Sequence, residues 1–333
     1  MKKNLLISAF LFTLIQLNAQ SLQSDNFNSY TVGNVGTDIG GATAGQGGFY
    51  TDFASGSNSD GQIVNVDVSH GKSLQMTGSA TAVGTRYIWK DGLNTAWAAR
   101  TAGNNIIKIT VSLYTGSVTA GAASGRALIY DSTYGKFLTG VGYNYATQKI
   151  IGLGYYTISG STGNYSFSLG SNTYPANTWV TVSCTFDKAT GIVSWTTPEG
   201  TFNPAATATP AGSGTDPFEF DLISAVATGN TVAHITSFDD YSVIATNAAA
   251  LGTKEANLIE ENNISLYPSP AADFITIKSK LPIIKAEIFD FTGKRLNSPV
   301  EDHKVNVTDL KPGVYIMNVQ TKEGISTQKF IKK

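Results

Sequence analysis

Thr178-Trp179-Val180-Thr181-Val182-Ser183-Cys184-Thr185-Phe186-Asp187-Lys188-Ala189-Thr190-Gly191-Ile192-Val193-Ser194-Trp195 is the stretch that decides the fold. Val180, Val182, Cys184 and Phe186 recur at every second residue, with Thr181, Ser183 and Thr185 between them. Successive side chains leave an extended chain on opposite faces, so this alternation predicts a strand with one buried face. Asp187 to Gly191 supplies turn residues and Ile192 to Trp195 returns, which predicts a hairpin. The same period runs through Ile106 to Tyr114, where Ile107, Ile109, Val111 and Leu113 oppose Lys108, Thr110 and Ser112. Further strands are expected at Arg126 to Asp131, Lys136 to Tyr145, Lys149 to Ile158 and Thr236 to Ala245. No helical period of useful length precedes residue 247, so two packed antiparallel sheets over residues 21–246 are the economical solution. The roughly thirty residues after Gly33, rich in Gly, Ser, Asn and Asp, read as a long loop with short strands.

Composition narrows the setting. Cys184 is the only cysteine of the 333 residues, so no internal disulfide forms, and its apolar phase marks a buried, inert thiol. The formal net charge is −1. Residues 21–246 carry 9 Lys and Arg against 14 Asp and Glu, a net of −5. Residues 264–333 carry 11 against 7, a net of +4. A mildly acidic main domain without basic clusters argues against a nucleic-acid partner. Met1-Lys2-Lys3, an apolar run from Leu5 to Leu17 and Asn18-Ala19-Gln20 read as a secretory signal peptide over residues 1–20. That run falls short of the roughly 20 apolar residues a spanning helix needs. Residues 247–263 have no strand period and read as a linker, with a helical turn at Glu255 to Glu261.

From residue 264 the chain becomes a series of short apolar runs punctuated by turns. Ala286 and Ile288 alternate with Lys285 and Glu287, and Val314 and Ile316 with Tyr315 and Met317, giving buried faces at strand period. The ordered marks are Tyr267-Pro268-Ser269-Pro270-Ala271, Asp290 with Gly293-Lys294, Gly313-Val314-Tyr315, Gly324, and Lys329-Phe330-Ile331 at the end. In this order and place they resemble the type A C-terminal sorting domain of the type IX secretion system of Bacteroidetes-type bacteria. Ser269 stands where that family usually carries Asn. The resemblance implies a small Ig-like β-sandwich over residues 264–333, recognition by the outer-membrane translocon, and removal by a sortase-like peptidase within the linker. It also implies release or attachment of the cargo to anionic lipopolysaccharide. The Asn177 to Gly191 hairpin and the Phe238-Asp239-Asp240-Tyr241-Ser242-Val243 strand resemble laminin-G and concanavalin-like jelly-roll modules. That second resemblance implies a jelly-roll β-sandwich for the cargo.

Three constellations are candidates for chemistry. Glu219 and Asp221 lie at i and i+2, on one face of a strand and roughly 7 Å apart by strand rise. Glycosidases place two carboxylates about 5 to 9.5 Å apart. The Glu-x-Asp-x-x-Glu strand of concanavalin-like glucanases is incomplete here, since its third acid falls on Ser224. Asp25, Asp239 and Asp240 come together if the first and last strands pair, and the jelly-roll resemblance implies a structural calcium there. Tyr87, Trp89 and Trp97 are the candidate sugar-stacking aromatics, with Trp89 and Trp97 the expected exposed pair and Trp179 and Trp195 expected in the core. His70, His234 and His303 have no ligand spacing, and there is no His-Glu-x-x-His, Gly-x-Ser-x-Gly or phosphate-loop motif. The resulting reading is a non-enzymatic, secreted or surface-attached glycan-binding or adhesion module. The alternatives are a glycan-cleaving enzyme using Glu219 and Asp221, and a structural adhesin with no small ligand.

Overall fold

The alternation read in the sequence is realised strand against strand: Trp179 to Asp187 pairs antiparallel with Tyr114 to Ile106 without interruption. The computed structural model describes residues 19–68, 70–117, 121–247, 265–279, 282–290, 295–296, 300–301, 303–321 and 324–333. The expected leader up to residue 18, the linker beyond Asn247, and Gly293 and Lys294 of the sorting marks lie outside them. Gln20, assigned above to the leader, is the first residue of a strand and pairs with Ala245.

Two compact units, residues 1–250 and 251–333, divide the chain. In the first, the strands are β1 (Gln20–Asp25), β2 (Gly33–Asn34), β3 (Phe49–Asp52), β4 (Gly61–Asn65), β5 (Lys72–Thr77) and β6 (Arg86–Lys90). A short helix, α1 (Leu93–Ala98), precedes β7 (Ile106–Tyr114), β8 (Ala123–Tyr130), β9 (Phe137–Asn144), β10 (Lys149–Ile158) and β11 (Ser161–Ser168). Then follow β12 (Trp179–Asp187), β13 (Val193–Thr197), β14 (Gly200–Phe202), β15 (Ala208–Pro210), β16 (Glu219–Val226) and β17 (Ile235–Thr246). One sheet runs β14-β13-β12-β7-β17-β5-β4-β2, with β1 also on β17. The other runs β11-β10-β9-β8-β16-β6-β3, with β15 on β10. The last two strands return to the middle of the sheets, β16 between β6 and β8 and β17 between β5 and β7. Such returning antiparallel connections across two sheets define a jelly-roll β-sandwich.

The core lies between the sheets. Phe186, Trp195, Phe220, Phe238 and Tyr241 from both sheets are at most 2 % exposed. Each such side chain contributes about 1.5 to 3 kcal/mol through removal from water. The buried Trp195 indole N–H is satisfied by Gly140 O at 2.9 Å. Gly152 makes room for that ring, since a Cβ there would stand 2.5 Å from it. Cys184 is buried, as expected, and burial pushes its thiol up to about 12, so it stays protonated.

The second unit folds as two four-stranded sheets. One orders Ser265–Tyr267, Phe274–Lys278, Lys304–Asn306 and Val300–Glu301; the other orders Arg295–Leu296, Ile283–Phe289, Gly313–Thr321 and Gly324–Lys332. Its core holds Ile275, Ile277, Ile288, Met317, Val319 and Phe330. The face turned inward is Tyr315-Met317-Val319, while Val314 remains 44 % exposed. The proline segment docks on the terminal strand: Ile331 N–H donates to Ser269 Oγ at 3.2 Å, and Ala271 N–H to Ile331 O at 2.7 Å. Ser269 therefore fills a hydrogen-bonding role at the position where it departs from the family pattern. Tyr267 and Lys329 are exposed on this unit.

His234 is a core residue of the first unit. Its Nε2 lies 2.8 Å from Ser224 Oγ, and Gly78 packs so closely that a Cβ there would clash with the ring. Burial pulls its pKa down from 6.5 to about 4. A depressed folded-state histidine pKa favours the neutral ring, so stability is lost as pH falls from 6.5 through 4. The loss amounts to about 3 kcal/mol at full protonation. His234→Gln is expected to flatten this part of the pH profile in denaturant titrations. An unchanged slope between these pH values contradicts the assignment.

Candidate functional site

Residues directly opposite on antiparallel strands share a face, so the register of the eight-stranded sheet identifies the side chains pointing away from the core. Asp221 on β16 is flanked by Trp89 on β6 and Leu128 on β8; Tyr50 lies beyond Trp89, and Gly140 and Leu153 beyond Leu128. The next row is Asp52, Tyr87, Ile223, Arg126, Gly142 and Ile151. Leu128, Tyr130, Ile151, Leu153, Ile223 and Ala225 form an apolar cluster separate from the sandwich core. Leu128 is nonetheless 0 % exposed. Tyr87 and Phe137 pack against this cluster, so the outward face is a buried aliphatic layer with aromatic side chains on it.

Glu219 and Asp221 stand at one end of it. The sequence reading put their carboxyls roughly 7 Å apart on a strand face. Instead both are buried and bonded to each other. Burial first, then the neighbouring Glu219 charge, hold the Asp221 carboxyl well above the usual range. Burial also raises Glu219. Asp221 therefore holds its proton to higher pH than a solvated carboxyl does, directed at Glu219. Tyr134 OH donates to Glu219 Oε2 at 3.3 Å. The Tyr134 turn is fixed by Asp131, whose Oδ1 accepts from the N–H groups of Gly135 and Lys136 at 3.0 Å each. Trp89 stacks on Tyr50 with ring centroids 5.6 Å apart and donates its indole N–H to Asp91 at 3.2 Å.

The other expected site residues separate. Trp97, expected at the surface beside Trp89, is 1 % exposed. Helix α1 turns it inward, where it donates to Asp216 Oδ1 at 2.7 Å and lies under the Arg100 guanidinium. The polar residues around it belong to the exposed side of one helical turn, a pattern too short to reveal its period. Asp25 does not join Asp239: Lys90 Nζ donates to its carboxylate at 2.6 Å and Tyr30 OH also donates to it. Asp25 and Asp240 do line one polar cleft of about 460 Å³ with Ser24, Asn26, Ser29, Tyr30 and Tyr241. Asp239 turns to His70, with Oδ2 3.0 Å from Nδ1, and burial pushes its carboxyl up to about 6. These residues do not fit the expected calcium, which takes six to eight oxygens, because an ammonium neutralises Asp25 and an imidazole occupies Asp239. His70, Asp239 and Asp240 bring one ligand atom each within 4.8 Å of one another. Trp179, expected in the core, is half-buried here, stacked on His70 at 4.0 Å and bonded to Asp67 Oδ2 at 2.7 Å. Sequence periodicity missed Arg126, Tyr130 and Tyr134 as members of the outward face, since only the pairing of β8 with β16 places them beside the carboxyl pair.

Residues 265–333 match the family of the secretion system C-terminal sorting domain. This segment is a type IX C-terminal sorting domain, and it directs the chain through that secretion system to the cell surface or the extracellular space. Among the described residues no helix is long and apolar enough to cross a membrane. No curated protein matches the sequence. Among solved structures, the chain is similar to the binding domain of botulinum neurotoxin DC in complex with rat synaptotagmin II, at 10% identity and TM-score 0.38, covering 91% of this chain and 73% of that one. It is similar to Trypanosoma rangeli sialidase at 8% identity and TM-score 0.37, covering 61% of this chain but only 28% of the sialidase. It is similar to the cellulose induced protein Cip1 at 12% identity and TM-score 0.41, covering 63% and 97%.

Raised carboxyl pKa values reverse the sign seen for His234. The penalty for ionising Asp221 is absent below its unfolded value of 3.8 and grows as pH rises through the folded value. Asp221→Asn keeps a donor toward Glu219 and removes this titration. Its melting temperature relative to the parent is expected to rise with pH as the Asp221 carboxyl of the parent is forced to ionise. A difference independent of pH contradicts the raised carboxyl. The two tryptophans separate by burial: Trp97→Ala is expected to cost about 3 to 5 kcal/mol and Trp89→Ala about 1 kcal/mol in denaturant unfolding. Equal losses contradict the placement.

Proposed function

We propose that the exported β-sandwich binds glycan chains on the outward face of its eight-stranded sheet. The observation that carries this reading is the combination on one sheet face of partly exposed Tyr87 and Trp89, the exposed Tyr134, and a buried polar group set between them. Aromatic faces cover the apolar faces of sugar rings, while carboxyl, phenol and guanidinium groups take the hydroxyls and other polar substituents. The long strands across β6, β16, β8, β9 and β10 suit an extended chain more than a single small molecule. The sorting domain supports the setting, since delivery outside the cell brings this face to surface and environmental polysaccharides.

Glycan cleavage by Glu219 and Asp221 is the less favoured reading. A glycosidase needs its two carboxyl groups about 5 to 9.5 Å apart with the scissile bond between them. A pair bonded directly to each other leaves no such space.

Binding of the full chain to a panel of neutral and acidic polysaccharides tests the proposal, with Tyr87→Ala and Trp89→Ala as variants. Retention of at least one polysaccharide is expected, weakened about tenfold in each variant at a temperature where both variants remain folded. Binding unaffected by both variants, or no binding by the parent, contradicts it.

A further inference from the structure

We propose that Arg126 is an anchor for an anionic substituent, a carboxylate or a sulfate ester, and that the glycan bound on this face is therefore acidic. The inference rests on the glycan-binding reading and names the substrate class of the same site. Arg126 sits on β8 in the outward row, between Ile223 on β16 and Gly142 on β9. Its Nε donates to Ser124 Oγ at 2.8 Å. Among the described residues it forms no ion pair. That is unusual for a guanidinium on an aliphatic floor between Tyr87 and Tyr130, where burial already disfavours its charge.

The carboxyls nearest along the sheet do not compensate it. Asp221 pairs with Leu128, two residues from Arg126 along β8, and it is hydrogen-bonded to Glu219. The outward face therefore holds a half-buried cation outside any ion pair among the described residues, and an acid pair bonded to itself. A guanidinium fork matches the paired oxygens of a carboxylate or sulfate. β9 carries glycine at both outward positions, both buried, and the side chains of β8 lie close over them. A Cβ at Gly142 would lie 3.1 Å from Arg126 Cγ, and one at Gly140 would lie 2.6 Å from Leu128 Cδ1. A sugar ring stacked on the half-buried Tyr87 brings a substituent to the half-buried Arg126, one strand beyond Ile223 in the same row. The opposite polarity at the two ends of this face also gives a chain direction, with an acidic group at Arg126 and hydroxyls at Glu219 and Tyr134.

The test compares four probes on the full chain: polygalacturonate, its methyl-esterified form, dextran sulfate and unmodified dextran. Arg126→Gln removes the charge, and Arg126→Lys keeps it without the fork. The parent is expected to retain polygalacturonate or dextran sulfate, and to lose affinity for the esterified or unsulfated counterpart. Whichever of the two acidic probes binds identifies the substituent. Arg126→Gln is expected to weaken that binding about tenfold or more, with Arg126→Lys between the two. The melting temperature of Arg126→Gln is expected to equal or exceed the parent's, since an uncompensated charge is removed; a structural arginine gives a lower one. Equal retention of charged and neutral probes, unchanged in Arg126→Gln but lost in Tyr87→Ala, overturns the anion anchor and leaves glycan binding standing. Retention of none of the four together with a blank polysaccharide panel overturns both.

Discussion

Insertion of residues 219–246 into the centres of both sheets is the constraint on which the cargo domain depends. Until β16 enters between β6 and β8, and β17 between β5 and β7, neither sheet is continuous. These pairings join residues far apart in sequence, so their loop-closure cost is met only when both faces of β16 find partners. Phe220 and Leu222 pack inward, while Asp221 and Ile223 point outward on the opposite face. The same strand thus supplies core and site, and a one-residue slip would exchange them.

That dual role explains the electrostatics. A carboxyl fixed in the middle of a sheet, on a face lined by Leu128, Leu153 and Ile223, has no bulk water to hold its charge. Asp221 responds with a raised pKa and a hydrogen bond to Glu219; Arg126, on the same face, has no ion pair within the described residues. His234, on the inner side, resolves the same problem by remaining neutral. Acid and base groups in this sandwich consequently respond to pH in opposite senses, and its stability profile is the difference between them.

Much of the architecture was legible because strand period is local. Ile106–Tyr114 and Lys149–Ile158 have the bounds their alternation predicts, and the hairpin around Gly191 forms as its turn residues require. The sorting segment was legible for a different reason, since its marks are dispersed but ordered. What escaped was set by pairing across the chain. Asp25 and Asp239 do fall on adjacent strands, yet Lys90 and His70 reach them from elsewhere. Trp97 and Trp179 both depart from their expected places: one helical turn buries the first, and a stack on His70 leaves the second half-buried. Arg126 looked like an ordinary polar strand residue until its neighbours in β16 and β9 were known.

The central claim is that the outward face of the eight-stranded sheet is the binding surface. Hydrogen exchange of the full chain with and without its best-retained polysaccharide tests this most directly, because it reports where the ligand lies without altering a residue. The account predicts slowed exchange concentrated in Arg86–Lys90, Ala123–Tyr130 and Glu219–Val226. Protection confined to the Asp25 and Asp240 cleft, or to the nine-stranded sheet, would contradict it.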